Sequence, residues 1–249
     1  MAMVFGPCSG SGEVRAGHAA LNQEKAVMGK TVKPTVGVRP VRIPAGAVTM
    51  LGDLALPDDS RGIVLFAHGS GSSRHSSRNR YVAAELRAAR LGTLLMDLLT
   101  LDEEAIDART RHLRFDIRLL ASRLAAATDW LMSEPATAAL SIGYFGASTG
   151  AGAALVAAAD RPDAVRAIVS RGGRPDLAGA ALGHVKAPTL LIVGARDELV
   201  IEMNRDAMAQ MRSEVQLEIV PGATHLFEES GTLEIVAVLA REWFARHLG

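Results

Sequence analysis

The sequence predicts an α/β fold built on a mostly parallel, open β-sheet with helices on both faces and no cap domain. Three observations carry this. Short apolar runs alternate with amphipathic runs of helical period along most of the chain, the order expected of βαβ units. Several short runs are apolar at every position, such as IVLFA at 63–67, as strands covered on both faces are. The runs close in turns rich in glycine, where open parallel sheets hold their ligands.

The elements follow in order. Residues 1–37 have no hydrophobic period and read as an N-terminal extension, so the domain is placed at 38–249. "VRPVRIPAG" and "VTMLGDLALP" read as two short strands around a turn at Ala45-Gly46. The central strand 63–67 is followed by a helix with apolar residues Val82, Leu86 and Leu91, stopped by Gly92. "TLLMDLL" is a buried strand, and "FDIRLLASRLAAATDWLMSE" a long amphipathic helix ended by Pro135. "LSIGYFGAS" is a strand and "TGAGAALVAAAD" a helix. "AVRAIVSRGG" and "APTLLIVGARDE" are strands, "LVIEMNRDAMAQM" is a helix, "VQLEIVPGA" a strand, and "TLEIVAVLAREWFARHL" the closing helix.

Composition removes several function classes. Lys+Arg and Asp+Glu balance at 27 each, which leaves no basic surface for nucleic acid. The Arg109–Arg114 cluster is offset by nearby acids and reads as a solvated helix face. The single cysteine, Cys8, excludes an intramolecular disulfide and a Cys-rich zinc site. The first 38 residues lack the basic start and compact apolar stretch of a secretory signal, so a cytoplasmic protein is expected. No run is long and apolar enough to span a bilayer. No metal or cofactor is expected: H-E-x-x-H, the phosphate-loop pattern and G-x-G-x-x-G are all missing.

Gly146-Ala147-Ser148-Thr149-Gly150 fits G-x-S-x-G, between a predicted strand and a predicted helix. A serine exposed at such a turn needs small residues two positions either side, or their side chains collide. The helix that follows aims its positive end at the site. A serine hydroxyl needs a base, and the base an orienting acid. Of the seven histidines, His225 in "PGATHLFEE" is the one that follows the last strand directly after a Gly-containing turn, and it is the candidate base. Asp197, past the strand in "LLIVGARDELV", is the candidate acid; its other reading is a helix cap, with Glu198 and Asp176 as alternatives. An attacked carbonyl needs N–H donors for its oxyanion. Thr149, after the serine, and Ser70, in the "HGSGSS" loop after the central strand, are the expected pair. His68 reads as a brace for that loop.

On "HGSGSS", "GASTG", "GARDELV" and "GATHLFEE", the chain from Val38 onward resembles the α/β-hydrolase superfamily. "FDIRLLASRLAAATDWL" and "SRGGRPDLA" make it similar to the dienelactone hydrolase-like branch. The resemblance implies Ser148 as nucleophile, Asp197 as acid, His225 as base, and Ser70 with Thr149 as the oxyanion hole. Dienelactone hydrolases proper use a cysteine nucleophile; here the position is Ser148, so a serine carboxylesterase for small esters is expected. Lactone or thioester hydrolysis, acyl transfer, and a non-catalytic binding role on the same fold are the alternatives. The segment between Gly172 and Thr189 is too short for a cap domain, which favours short acyl groups. Arg74, Arg78, Arg171 and Arg174 fall in loops near the strand ends, where they would bind a substrate carboxylate or form loop-bracing ion pairs.

Overall fold

The computed structural model describes residues 36–249. The extension read over 1–37 lies, up to residue 35, outside the described residues. In chain order the elements are β1 (Val38–Ala45), β2 (Val48–Ala55), β3 (Gly62–Ala67), α1 (Ser77–Ala88), β4 (Leu91–Met96), α2 (Leu101–Thr110), α3 (Ile117–Ser133) and β5 (Ser141–Ala147). Then come α4 (Thr149–Asp160), β6 (Val165–Arg171), β7 (Thr189–Gly194), α5 (Glu198–Gln210), β8 (Val215–Val220) and α6 (Thr232–Leu248). Short 3₁₀ segments occupy Leu113–Phe115 and Pro175–His184.

The eight strands form one sheet in the order β1-β2-β4-β3-β5-β6-β7-β8. β1 and β2 are an antiparallel hairpin turned at Gly46, β2 meets β4 antiparallel, and every later pairing is parallel. β3, β4 and β7 are buried along their whole length. The alternation of side chains explains how. Ile63 and Leu65 of β3 join one core with Leu120 and Leu124 of α3 and Leu155 of α4. Val64 and Phe66 point the other way, into a second core with Val82 and Leu86 of α1 and Phe244 of α6. Two helix layers thus cover the two faces, which is why these strands carry no polar face.

Topology positions the site. From β3 the chain crosses to β4 on one side; from β5, on the other side of β3, it crosses to β6. The loops after β3 and β5 therefore run apart and leave a crevice at the carboxyl ends of these two strands. "HGSGSS" and Ser148 sit there. Between β6 and β7 the chain is occupied by the 3₁₀ segment packed beside α4, so no cap domain rises over the crevice.

Two local readings change. Leu91 and Gly92, expected to end a helix, belong to β4; α1 stops at Ala88, and Arg90 turns the chain with φ 62°. Gly92 is a packing residue: a Cβ there would lie 2.7 Å from Leu56 Cδ2. α2 has no apolar stripe and was invisible to periodicity, with Asp107 its one buried residue. Its signal was the capping box at its start, where Thr100 Oγ1 accepts from Glu103 N–H and Glu103 accepts from Thr100 N–H.

Candidate active site

Ser148 stands between β5 and α4 with φ 50° and ψ −121°. The strain is enforced from both sides. Ser148 N–H donates to Arg171 O of β6 (3.2 Å), and Arg174 N–H donates to Ser148 O (3.1 Å). The flanking glycines permit it: a Cβ on Gly146 would lie 2.4 Å from Ala151 Cα, and one on Gly150 would lie 2.4 Å from Ala67 O. Thr149 opens α4, so its N–H has no partner within the helix, and the residue lines the crevice at the positive helix terminus.

Two other strand ends converge on the serine. Asp197 precedes α5, but its carboxylate makes no capping bond to the helix. Its Oδ2 lies 2.6 Å from His225 Nδ1. His225 Nε2 lies 3.3 Å from Ser148 Oγ. A Cβ on Gly194 would lie 2.5 Å from Ala223 O, so glycine at the end of β7 lets the His225 loop settle against the Asp197 turn. That loop is held further by Thr224 N–H donating to Glu229 Oε2 (3.1 Å). The side-chain and backbone hydrogen bonds of Thr224 hold the Glu229 carboxyl below the usual glutamate range. Of the alternative acids, Glu198 is in the first turn of α5 and Asp176 is bound to Arg174.

The loop after β3 carries Ser70. Leu98 N–H donates to His68 Nε2 (3.1 Å), so the ring proton is on Nδ1, which donates to Gly69 O (2.9 Å). His68 is buried, and desolvation lowers its pKa, which keeps the ring neutral in this role. Arg74 anchors the other end of the loop: its backbone N–H donates to Asp97 Oδ1 (2.8 Å) and its guanidinium pairs with Asp97 Oδ2. The four arginines singled out in the sequence therefore divide. Arg74 is engaged by Asp97, Arg78 by Glu228 (2.8 Å), and Arg174 by Asp176 through two bonds of 2.8 and 2.7 Å. Among the described residues Arg171 has no such partner.

The crevice has two lobes. The smaller, about 220 Å³, is lined by Ser148, His225, Arg78 and Arg171. The larger, about 480 Å³, is lined by Thr149, Ser73, Leu98, Leu99, Glu104 and Arg114 among others. Gly69 and Ser70 border both. Burial and the nearby charge of Asp97 raise the Glu104 carboxyl above the usual range. Among the described residues no group of three His, Cys, Asp or Glu side chains is arranged to hold a metal ion, and no helix is long and apolar enough to cross a membrane.

Comparison with known proteins agrees with this architecture. A crystal structure of dienelactone hydrolase from Anabaena variabilis is 62% identical, superposes with a TM-score of 0.85, and covers 86% of this chain and 99% of its own. Est1E from Butyrivibrio proteoclasticus, 16% identical, shares the fold with a TM-score of 0.68 over 83% of this chain and 98% of its own. Two curated proteins of Mycobacterium tuberculosis, each named "Putative phosphoribosyl transferase", are 59% identical over 225 residues, 90% of this chain and 50% of theirs. The chain thus spans about half the length of the curated relatives it matches. The model of the dienelactone hydrolase family matches residues 95–243, from β4 into α6 and across Ser148, Asp197 and His225. By that match, and by its likeness to the Anabaena enzyme over nearly all of that chain, the protein belongs to the dienelactone hydrolase family.

Proposed function

We propose that the protein is a serine carboxylester hydrolase for small or short-chain acyl esters. The observation that carries the reading is the continuous relay from Asp197 through His225 to Ser148, at 2.6 and 3.3 Å. In this reading Ser148 Oγ attacks the ester carbonyl carbon and its proton passes to His225 Nε2. The carbonyl oxygen, now anionic, is received by the backbone N–H groups of Ser70 and Thr149. The C–O bond to the alcohol breaks, and His225 gives its proton to the leaving oxygen. Water then gives a proton to His225 and attacks the acyl-enzyme, releasing the acid and restoring Ser148. Asp197 holds the ring and stabilises the imidazolium formed in each step.

The uncapped crevice and the size of its lobes support short acyl groups over long lipids. The same relay would serve lactone or thioester hydrolysis or acyl transfer. The transferase name carried by the mycobacterial relatives belongs to chains of which this one matches half. The reading is tested by burst-phase assays with p-nitrophenyl acetate, butyrate and octanoate. Wild type should turn over the two shorter esters faster, with a burst from acyl-enzyme formation. Ser148→Ala should lose turnover by at least about a thousandfold with an unchanged circular dichroism spectrum. A folded Ser148→Ala protein that keeps its activity overturns the proposal.

A further inference from the structure

Asn204 of α5 is a polar side chain that is fully buried and lines neither lobe of the crevice. Its Nδ2 donates to Val200 O (2.7 Å), one turn back in the helix, and to Gly173 O (3.1 Å), just beyond the end of β6. Both acceptors are carbonyl oxygens, so the amide must present its nitrogen to them. That leaves Oδ1 buried without a hydrogen-bond partner among the described residues. Asparagine is a poor helix former, and an unpaired buried oxygen is unfavourable. An apolar side chain of similar size would avoid both penalties, at the loss of the bond to Gly173. The bond to Gly173 is therefore what asparagine adds at this position.

The stretch that Asn204 holds touches the base and the nucleophile. Gly172, with φ 50°, packs on the base: a Cβ there would lie 3.0 Å from His225 O and 3.5 Å from His225 Nδ1. Its N–H donates to Ile192 O of β7 (2.7 Å). Arg174 N–H donates to Ser148 O (3.1 Å). Three consecutive residues thus meet His225, Asn204 and Ser148 in turn. Asn204 is itself rooted in the helix that begins directly after Asp197, about two turns along it.

We infer that Asn204 is a positioning residue for the relay. Its amide ties the helix that begins at Asp197 to the stretch that packs on His225 and bonds to Ser148. It thereby fixes the imidazole between its two partners. The leg from His225 Nε2 to Ser148 Oγ, at 3.3 Å, is the one that a small displacement would break. The inference rests on the acyl-enzyme reading of Ser148. In that reading His225 moves a proton in every step, so a displaced ring slows acylation and deacylation alike. Asn204 touches no substrate, so binding should be spared.

The test compares wild type with Asn204→Leu and Asn204→Ser. Leucine keeps the volume and removes the donor. The serine hydroxyl can still bond Val200 O within the helix but is too short to reach Gly173 O. Ala207→Gly, at another buried position of α5, is the control for a loosened helix. Turnover of p-nitrophenyl acetate is measured on protein shown to be folded by circular dichroism. Both Asn204 variants should lose about tenfold or more in kcat with KM within about twofold of wild type, and Ala207→Gly should keep both constants. A second readout needs no substrate: the downfield proton NMR signal of His225 Nδ1–H bonded to Asp197, assigned by its loss in His225→Gln. It should shift or broaden in both Asn204 variants and hold in Ala207→Gly. If Asn204→Leu does not fold, Asn204→Ser carries the comparison alone. A signal unmoved in the folded Asn204 variants overturns the proposal, whatever the turnover. So does an equal loss of kcat in Ala207→Gly, which would make the effect one of helix stability. A signal that moves only in the Asn204 variants, with no ester turnover by wild type, would sink the esterase reading and keep the positioning role.

Discussion

Ser148 sits in backbone territory that side chains enter only at a cost, with φ 50° and ψ −121°. The cost is borne because the two bonds to β6 and its sequel hold the residue from both sides. This separates strain from chemistry in a measurable way. Ser148→Gly should be more stable than Ser148→Ala by about 1 kcal/mol, since the relief of Cβ strain outweighs the added chain entropy of glycine. Neither protein has the hydroxyl, so urea unfolding of the pair reads strain alone. Equal stability, or an alanine variant that is the more stable, would show that the turn is not strained. At the same scale, Asp197 had two readings in the sequence, cap or acid. Its side chain leaves the helix start unbonded and lies 2.6 Å from His225. No pattern of residue types distinguishes these uses, because the difference is the direction of one side chain.

The loop from β8 to α6 must present His225 at a fixed distance from two other strand ends, and Glu229 is part of how it does so. Because Thr224 lowers the Glu229 pKa in the folded protein, this group binds its proton more weakly folded than unfolded. Its contribution is therefore fully present above the unfolded value, about 4.3, and is lost as the pH falls through the lower folded value. Comparing wild type with Glu229→Gln by urea unfolding between pH 7 and pH 3, the wild-type advantage should be constant near neutrality and shrink below about pH 4. A gap that stays constant to pH 3 would remove Glu229 from this role. Elements also show where pattern reading stops. The boundaries of α4 and α6 were legible at both ends, because a glycine-rich elbow and a long amphipathic run mark them. α2 was missed because it buries almost nothing, and only its capping box marks it. Leu91 was assigned to a helix because its spacing fits one; packing against the neighbouring strands decided for β4.

Across the whole molecule, the strand that carries Ser148 is tied to the last helix. Phe244 of α6 is fully buried, and its ring occupies the space that a side chain on Gly143 of β5 would need: a Cβ there would lie 2.7 Å from Phe244 Cε1. Phe244→Ala should cost about 3–5 kcal/mol through the cavity it leaves. Gly143→Ala should cost about 1–3 kcal/mol through overpacking. The double variant should be more stable than the sum of these costs implies, by about 1 kcal/mol or more, because the new methyl group enters the space that the ring vacates. Additive costs would mean that the two positions do not share that space.

Residue types alone carried the fold class, the order of strands and helices apart from α2, and the expectation that Ser148, Asp197 and His225 follow three different strands. These are properties of local period and glycine placement, which act over a few residues and are written in residue types. The assembled sheet was needed to show which of four arginines lacks a carboxylate partner among the described residues, that the crevice has two lobes, and which lobe His225 shares with Arg171. Charge pairing joins residues such as Arg78 and Glu228, which are far apart in the chain, so no local pattern records it. It is set when the sheet brings the strand ends together.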